Sequence, residues 1–324
     1  MRKKHLALAL AALAAVASLA VFAGCSSNGT AQSTRSESGD KVSVVASFYP
    51  MYDFAQKVGG DRVDVTCLVP AGTEPHDWEP STADMKTIAS AQVLVYSGAG
   101  MEHWVNDVTS AVGNKDLVSV EASQGVDLLP AAGDEHEAEH EGSHEADHDH
   151  GQYDPHVWLS PANAKVEMAN IRDALIKADP DGKDAYEKNY EKYAGVLDEL
   201  DQKYASELAG TASKNIVVSH QAFGYLCDRY SLTQVPIEGI EADSEPDAKT
   251  MAKIVDFVKE NGTKTIFSEE LVSPKAAQAI SDETGASLEV LNPLEGLTDE
   301  QISAGEDYFS VMESNLDKLV KALS

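Results

Sequence analysis

Three histidines of this chain lie in similar local settings, and their side chains could bind a metal ion. His76 lies in the segment GTEPHDWEPS, shortly after an apolar run that ends at Val69, and His156 lies in DPHVWLSP. His220 lies in SHQAFGY, where the apolar run Ile216–Ser219 ends. Each histidine is therefore predicted in a Pro-rich turn or at the carboxyl end of a strand, where side chains project into a crevice. Because neutral imidazole is the commonest protein ligand for late divalent metals, the pattern predicts a shared metal site.

A fourth ligand is expected, because Zn²⁺ prefers closure by four ligands in tetrahedral geometry. The cysteines of the folded body, Cys67 and Cys227, are far apart in apolar contexts, and the sequence contains no CxxC motif. We therefore predict two buried free thiols and look for a carboxylate ligand instead. Spacing alone does not decide which of four acidic residues is the fourth ligand: Glu295 in LNPLEGLT, Glu269, Glu270 or Asp154. For each of them, the alternative to a ligand is a solvated acidic residue of a loop.

Alternating strands and helices are predicted for the elements that would position these residues. Short apolar runs such as Val42–Ser47 suit buried strands, and the last helix is predicted over Gly305–Leu323. The clearest helix is Lys183–Leu208, where Tyr and Leu recur at steps of three or four, and at 1.5 Å per residue it would extend about 40 Å. We predict an α/β fold with two lobes of mostly parallel sheet and the metal site in the cleft between them. The predicted boundaries are 41–182 for the first lobe, 183–210 for a bridging helix and 211–324 for the second lobe.

The N-terminus has the pattern of an export signal. Arg2, Lys3 and Lys4 precede an apolar run, and FAGC at residues 22–25 resembles a bacterial lipobox in which Cys25 is lipidated, although Phe22 replaces the usual Leu. We predict a signal peptide at 1–24 and a Ser/Gly/Thr-rich flexible tether at 25–40. The alternative is an uncleaved membrane anchor, and either interpretation places the rest of the chain outside the cytoplasm.

The chain is strongly acidic, and part of its acidity is concentrated with histidine. Its 25 Lys+Arg and 54 Asp+Glu give a formal net charge of −29, which argues against binding to nucleic acid or to anionic lipid through a basic surface. Residues 134–150 (DEHEAEHEGSHEADHDH) contain eight acids and five histidines without Lys or Arg. Such a segment cannot build a core, and we predict a weak, fast-exchanging metal collector, with a solvated loop of no effect as the alternative. Its histidines are His136, His140, His144, His148 and His150.

The motifs together resemble, in order and over residues 41–324, the zinc solute-binding lipoproteins of bacterial ABC transporters. IEGIEADSEP and SEELVSPK belong to the same pattern, and the His/acid run stands where that family carries such an insert. The family, also called the metal-receptor cluster with a helical backbone, has two α/β lobes joined by one rigid helix. The resemblance implies four zinc ligands, two from each lobe: His76, His156, His220 and Glu295.

The resemblance also implies a function. It predicts an extracytoplasmic, lipid-anchored and monomeric protein that captures Zn²⁺ for an ABC permease and is not an enzyme. Manganese-binding relatives typically replace one imidazole by a carboxylate, so three imidazoles favour Zn²⁺ over Mn²⁺. The alternatives are a manganese receptor of the same family, a surface adhesin and a secreted zinc hydrolase. The hydrolase is disfavoured because four protein ligands would close the site and the sequence has no HExxH motif.

Residues next to the ligands have predicted supporting roles. Asp77 and Asp154 could orient ligand imidazoles, with capping of the turn as the alternative for Asp154. Trp78 and Trp158 could exclude water from the site, with ordinary core packing as their alternative. His103 in MEHWV matches no motif, and we expect it at the surface.

Overall fold

The computed structural model describes residues 41–131, 152–240 and 246–324 of the 324-residue chain. The predicted signal peptide with Cys25, the tether and the His/acid segment 134–150 lie outside the described residues. In the part of the chain that the structure describes, every helix is too short or too polar to cross a bilayer.

The first lobe is a parallel sheet with helices packed against it. The central strand β1 lies between β2 and β3, so that Val44 is paired with both Val65 and Val93, and the strand order is β2-β1-β3-β4. The central strands β1 and β3 are mostly buried and apolar, because helices cover both faces of a parallel sheet. The strands are β1 Val42–Ala46, β2 Val63–Cys67, β3 Val93–Tyr96 and β4 Val118–Glu121. The helices are α1 Tyr49–Gly59, α2 Thr82–Ser90, α3 Val105–Val112 and α4 Pro161–Ala178.

The second lobe repeats this organisation with the strand order β6-β5-β7-β8, again fully parallel. Its strands are β5 Asn215–Val218, β6 Thr233–Pro236, β7 Thr265–Ser268 and β8 Ser287–Val290. Its helices are α6 Gly224–Tyr230, α7 Ala248–Asn261, α8 Lys275–Thr284, α9 Asp299–Ala304 and α10 Tyr308–Leu323. The two-lobe α/β fold predicted from the sequence is thereby confirmed.

One long helix, α5 (Lys183–Ala209), packs against elements of both lobes: α1 and α4 of the first, and α6 and α10 of the second. Its buried face includes Tyr186, Leu197 and Tyr204, and the Tyr204 hydroxyl donates a hydrogen bond to the carbonyl of Met312 in α10 (2.6 Å). The largest hydrophobic cluster of the described residues is continuous from β1 and α1 through α5 to β5 and α10. The lobes therefore share their largest core cluster, to which one face of the bridging helix contributes.

The sequence-based assignment placed the start of the C-terminal helix too early and missed four other elements. The predicted helix Gly305–Leu323 corresponds to α10, which begins only at Tyr308, because Gly305 has a left-handed backbone (φ 82°) that ends the preceding α9 and Asp307 caps the start of α10. The missed elements are α3, β4, β6 and α9, and both missed strands lie at the edges of their sheets. Cys67 is only partly buried, whereas Cys227 is buried as predicted, and both thiols are free.

Candidate metal centre

The four residues that the sequence marks out as metal ligands converge between the lobes. His76 lies in the loop after β2, and His156 lies in the turn that leads into α4. His220 follows the carboxyl end of β5, and Glu295 lies in the loop that follows β8. The two lobes thus bring together loops that are up to 219 residues apart in sequence. Among the described residues, these four side chains form the group of possible metal ligands whose nitrogen and oxygen atoms all lie within 4.8 Å of one another.

Five of the six distances between the four side chains are close to those of a tetrahedral coordination shell. Nε2 of His156 lies 3.2 Å from Nε2 of His76 and 3.3 Å from Nε2 of His220. Oε1 of Glu295 lies 3.0 Å from His156 Nε2 and 3.1 Å from the Nε2 atoms of His76 and His220. Ligand atoms about 2.0–2.1 Å from a tetrahedral Zn²⁺ are separated by about 3.3 Å, so one ion fits at the centre of this group. Three imidazoles and one carboxylate are also a donor set suited to zinc.

The centre is shielded from solvent on most sides. The side chains of His156, His220 and Glu295 are at most 1% exposed, whereas that of His76 keeps 9% of its surface exposed. Trp158 is fully buried, with its ring centroid 5.5 Å from that of His156, and its indole N–H donates to the carbonyl of Pro293 (2.8 Å). The ion would therefore reach its ligands from the side of His76.

Two carboxylates contact the Nδ1 atoms of two imidazoles of this group, on the side of each ring opposite to the centre. Asp154 Oδ1 lies 2.8 Å from His156 Nδ1, and Glu269 Oε1 lies 2.8 Å from His220 Nδ1. A carboxylate at Nδ1 holds the proton there, which leaves the Nε2 lone pair facing the centre and makes the imidazole a better donor. Asp154 therefore has the orienting position expected from the sequence, while Glu269, considered as a fourth ligand, has the equivalent position on His220.

In this group, burial and the neighbouring charges shift the pKa values of the side chains in opposite directions. Burial alone lowers the pKa of His220, but the negative charges of Glu295 and Glu269 outweigh it and hold that pKa well above its ordinary value. The pKa of His156 is raised in the same way, against burial, by hydrogen bonds with Asp154 and Glu295. Burial raises the pKa of Glu295, yet the charge of His220 and the hydrogen bonds of the imidazoles hold it well below its ordinary value. Protons and a metal cation therefore compete for the same nitrogen atoms.

The loop that carries Glu295 is fixed by buried hydrogen bonds. Asn315 of α10 accepts from the backbone N–H of Asn292 (3.1 Å) and donates to its carbonyl (2.7 Å). The side chain of Asn292 in turn accepts from the N–H of Leu294 (2.6 Å), a buried residue with φ 60°. A left-handed leucine is strained, and it persists only where surrounding contacts determine it. The strain immediately precedes Glu295 and so lies at the functional loop.

Other residues considered from the sequence have different places. Asp77 is exposed, and the carboxylate beside His76 belongs instead to Glu74, which accepts from the His76 backbone N–H (3.0 Å). Trp78 is partly buried with its ring against Trp104, so core packing is its observed role. Glu270 and His103 lie outside the group of four candidate ligands. Glu270 is half-buried, and His103 is 44% exposed and pairs with Glu79, as expected for a surface histidine.

Comparison with known proteins places the geometry in a family. Residues 44–322 match the family model described as zinc-uptake complex component A, periplasmic. The chain is 44% identical over 303 residues to the high-affinity zinc uptake system protein ZnuA of Bacillus subtilis, covering 94% of each chain. It is 39% identical over 287 residues to the zinc-binding lipoprotein AdcA of Streptococcus pneumoniae, covering 89% of this chain but 57% of that relative.

Solved structures agree with these matches. The Zn(II)-bound ZnuA-like domain of Streptococcus pneumoniae AdcA superposes with a TM-score of 0.74 at 39% identity, covering 87% of this chain and 99% of that domain. The laminin-binding protein of Streptococcus agalactiae, described as bifunctional with adhesin and metal-transporting activity, has a TM-score of 0.77 at 34% identity, covering 88% of this chain and 100% of that one.

Proposed function

The chain belongs to the family of zinc-uptake component A proteins, and from this premise we propose that it captures Zn²⁺ outside the cytoplasm and delivers it to an ABC permease. The observation that carries the proposal is the convergence of three imidazole nitrogens and one carboxylate oxygen within 4.8 Å of one another, five of their six separations being 3.0–3.3 Å. His76, His156, His220 and Glu295 are its zinc ligands in this proposal.

Capture and release suit this site better than catalysis does. Four protein ligands satisfy a tetrahedral ion, whereas a catalytic zinc keeps a position for water or substrate. The family is one of transport components. Three imidazoles favour Zn²⁺ over Mn²⁺, for which oxygen ligands are better suited.

Anchoring and partners complete the proposal. The relatives named lipoproteins support lipidation at Cys25, which would tether the exported chain beside its permease. The chain would act as a monomer in this role. Adhesion to laminin belongs to the description of a relative at 34% identity, and we propose zinc capture rather than adhesion for this chain.

Metal titration of the purified protein tests the proposal. We expect one tight Zn²⁺ per chain, weaker Mn²⁺ binding, and a zinc-dependent rise in melting temperature, because a ligand that binds only the folded state stabilises it. The variant His220→Ala should lose tight binding, whereas the matched control His103→Ala should keep it. Preference for Mn²⁺, or equal zinc affinity in His220→Ala, would contradict the proposal.

Delivery is tested in the cell. Cells that lack the protein should stop growing when a chelator removes zinc from the medium, and added zinc, but not manganese, should restore growth. Unimpaired growth of these cells under chelation would contradict a role in uptake.

A further inference from the structure

The start of α6 joins the second lobe to the turn that carries His156. The Tyr225 side chain is 4% exposed and packs in a hydrophobic cluster with Ala99 and Val157 of the first lobe. Leu128 and Leu129, also of the first lobe, border the same cluster. Tyr225 is therefore inserted from one lobe into the other.

The hydroxyl of Tyr225 forms hydrogen bonds with two backbone segments that meet next to His156. It donates to the backbone carbonyl of Asp154 (2.8 Å) and accepts from the backbone N–H of Leu129 (3.1 Å). Asp154 and Leu129 are themselves joined, because the Asp154 N–H donates to the Leu129 carbonyl (2.9 Å). Next to this junction, Pro130 and Tyr153 form an antiparallel bridge. The backbone of Asp154 is thus fixed by a side chain of the opposite lobe.

The carboxylate of Asp154 is fixed from the same helix. A Cβ atom added to Gly224 would lie far inside van der Waals contact with Asp154 Oδ2. The other oxygen, Oδ1, contacts both the His156 backbone N–H (3.0 Å) and its Nδ1 (2.8 Å). Glycine at 224 therefore gives the carboxylate the space in which it can reach the imidazole.

We propose that Gly224 and Tyr225 are positioning residues for zinc that act through Asp154, so that the alignment of His156 depends on the packing of α6 against the first lobe. The inference rests on the proposed zinc-capture function. A small displacement of α6 would remove the Tyr225 hydrogen bonds and free the Asp154 carboxylate, and His156 would lose the partner that directs its Nε2 to the ion. A permease that moved α6 in this way would release the ion without a wide opening of the cleft.

A double-mutant cycle tests the role of Gly224. Gly224→Ala should weaken zinc binding by roughly 10–100-fold, the range found when the orienting partner of a ligand is disturbed. In a background of Asp154→Ala, which removes the carboxylate that the new methyl group would strike, Gly224→Ala should cause little further loss. Gly195→Ala in α5 is the control, because nothing lies within 4 Å of its added Cβ, and it should bind zinc like the wild type. Equal losses in both backgrounds, or none in either, would overturn the proposal.

A second pair of variants separates positioning from stability. Tyr225→Phe and Tyr204→Phe each remove a hydroxyl that donates to a buried backbone carbonyl. Both should lower the melting temperature of the protein stripped of zinc, but only Tyr225→Phe should weaken zinc affinity. If both variants bound zinc as tightly as the wild type, the inference would fail while the proposed function stood. If the wild type itself bound no zinc, the proposed function would fail first.

Discussion

Replacement of Glu269 by glutamine isolates the electrostatic contribution of a residue that contacts a ligand but not the ion. Glu269 is 7% exposed, and its Oε1 lies 2.8 Å from Nδ1 of His220. Gln has nearly the same shape and still offers an oxygen acceptor to Nδ1, so the orientation of the imidazole should survive. The substitution removes the negative charge that strengthens His220 as a donor.

The expected loss of zinc affinity depends on pH, in a direction set by the pKa of His220. Above the raised pKa of His220, few protons compete for Nε2, and Glu269→Gln should weaken zinc binding by roughly 10–100-fold, or about 1.4–2.7 kcal/mol. Burial lowers the pKa of His220 while the charges of Glu295 and Glu269 raise it, so the variant should have a lower His220 pKa than the wild type. At lower pH the variant therefore suffers less proton competition, and the difference in affinity between the two proteins should shrink.

The raised pKa of His220 also determines how the stability of the protein stripped of zinc changes with pH. Because the folded-state pKa of His220 is raised, its contribution to stability is fully present below the unfolded value of about 6.5 and is lost as pH rises through the folded value. In Glu269→Gln this contribution should be smaller, and it should disappear at a lower pH.

Chelator competition from about pH 6 to about pH 9 measures the two affinities across the imidazole range. Glu289→Gln is a suitable control, because Glu289 of β8 pairs with the exposed Lys321 of α10, and this substitution should leave zinc affinity unchanged. Equal affinities of Glu269→Gln and wild type at every pH would refute the electrostatic contribution of Glu269 to zinc binding. A constant ratio of affinities across the range would refute the account of proton competition.

Three further outcomes are expected. Removal of residues 134–150 should abolish weak metal binding and leave one tight zinc, as read by metal titration, and loss of the tight zinc would disprove the collector hypothesis. Asn315→Ala should lower the free energy of unfolding in urea by about 2–5 kcal/mol, because it strands two buried backbone groups of Asn292, and an effect no larger than that of the exposed control Asn261→Ala would contradict this. Zinc affinity of the wild type should begin to fall at a pH above about 6.5, because the pKa values of His156 and His220 are raised, and an onset only below that pH would contradict those shifts.

The central strands and the bridging helix were predictable because burial leaves a simple pattern in the sequence. Strand β1 reads VSVVA and β3 reads VLVY, and α5 shows its buried face as regularly spaced Tyr and Leu. Strands β4 (VSVE) and β6 (TQVP) are edge strands that lack such runs, whereas the edge strands β2 and β8 are followed directly by apolar Leu68–Val69 and Leu291 and were therefore predicted. Helix α9 was missed because its six residues (DEQISA) are too few and too polar to show apolar periodicity.

The site was predictable in part. The positions of three histidines after strands or in Pro-rich turns were visible in the sequence, because parallel strands gather their carboxyl ends at one edge. Spacing could not choose between Glu295 and Glu269, since both follow strands of the second lobe and only the tertiary arrangement separates the nitrogen that each one faces. The orienting role of Glu269 was missed, although its position at the carboxyl end of β7 was a usable signal. Gly224 left no such signal in the sequence, because the side chain that needs the space beside it, that of Asp154, belongs to the opposite lobe.

The shared core also limits how this protein could be turned into a zinc sensor. A pair of fluorophores placed on the two lobes reports binding only when the lobes change their separation, and a core that is continuous through α5 opposes such movement. A single dye beside the loop of His76, the ligand that keeps contact with solvent, would sense the ion through its local environment instead. The proposed permease would face the same problem of detection, and we expect it to recognise the loaded protein by the surface around that loop.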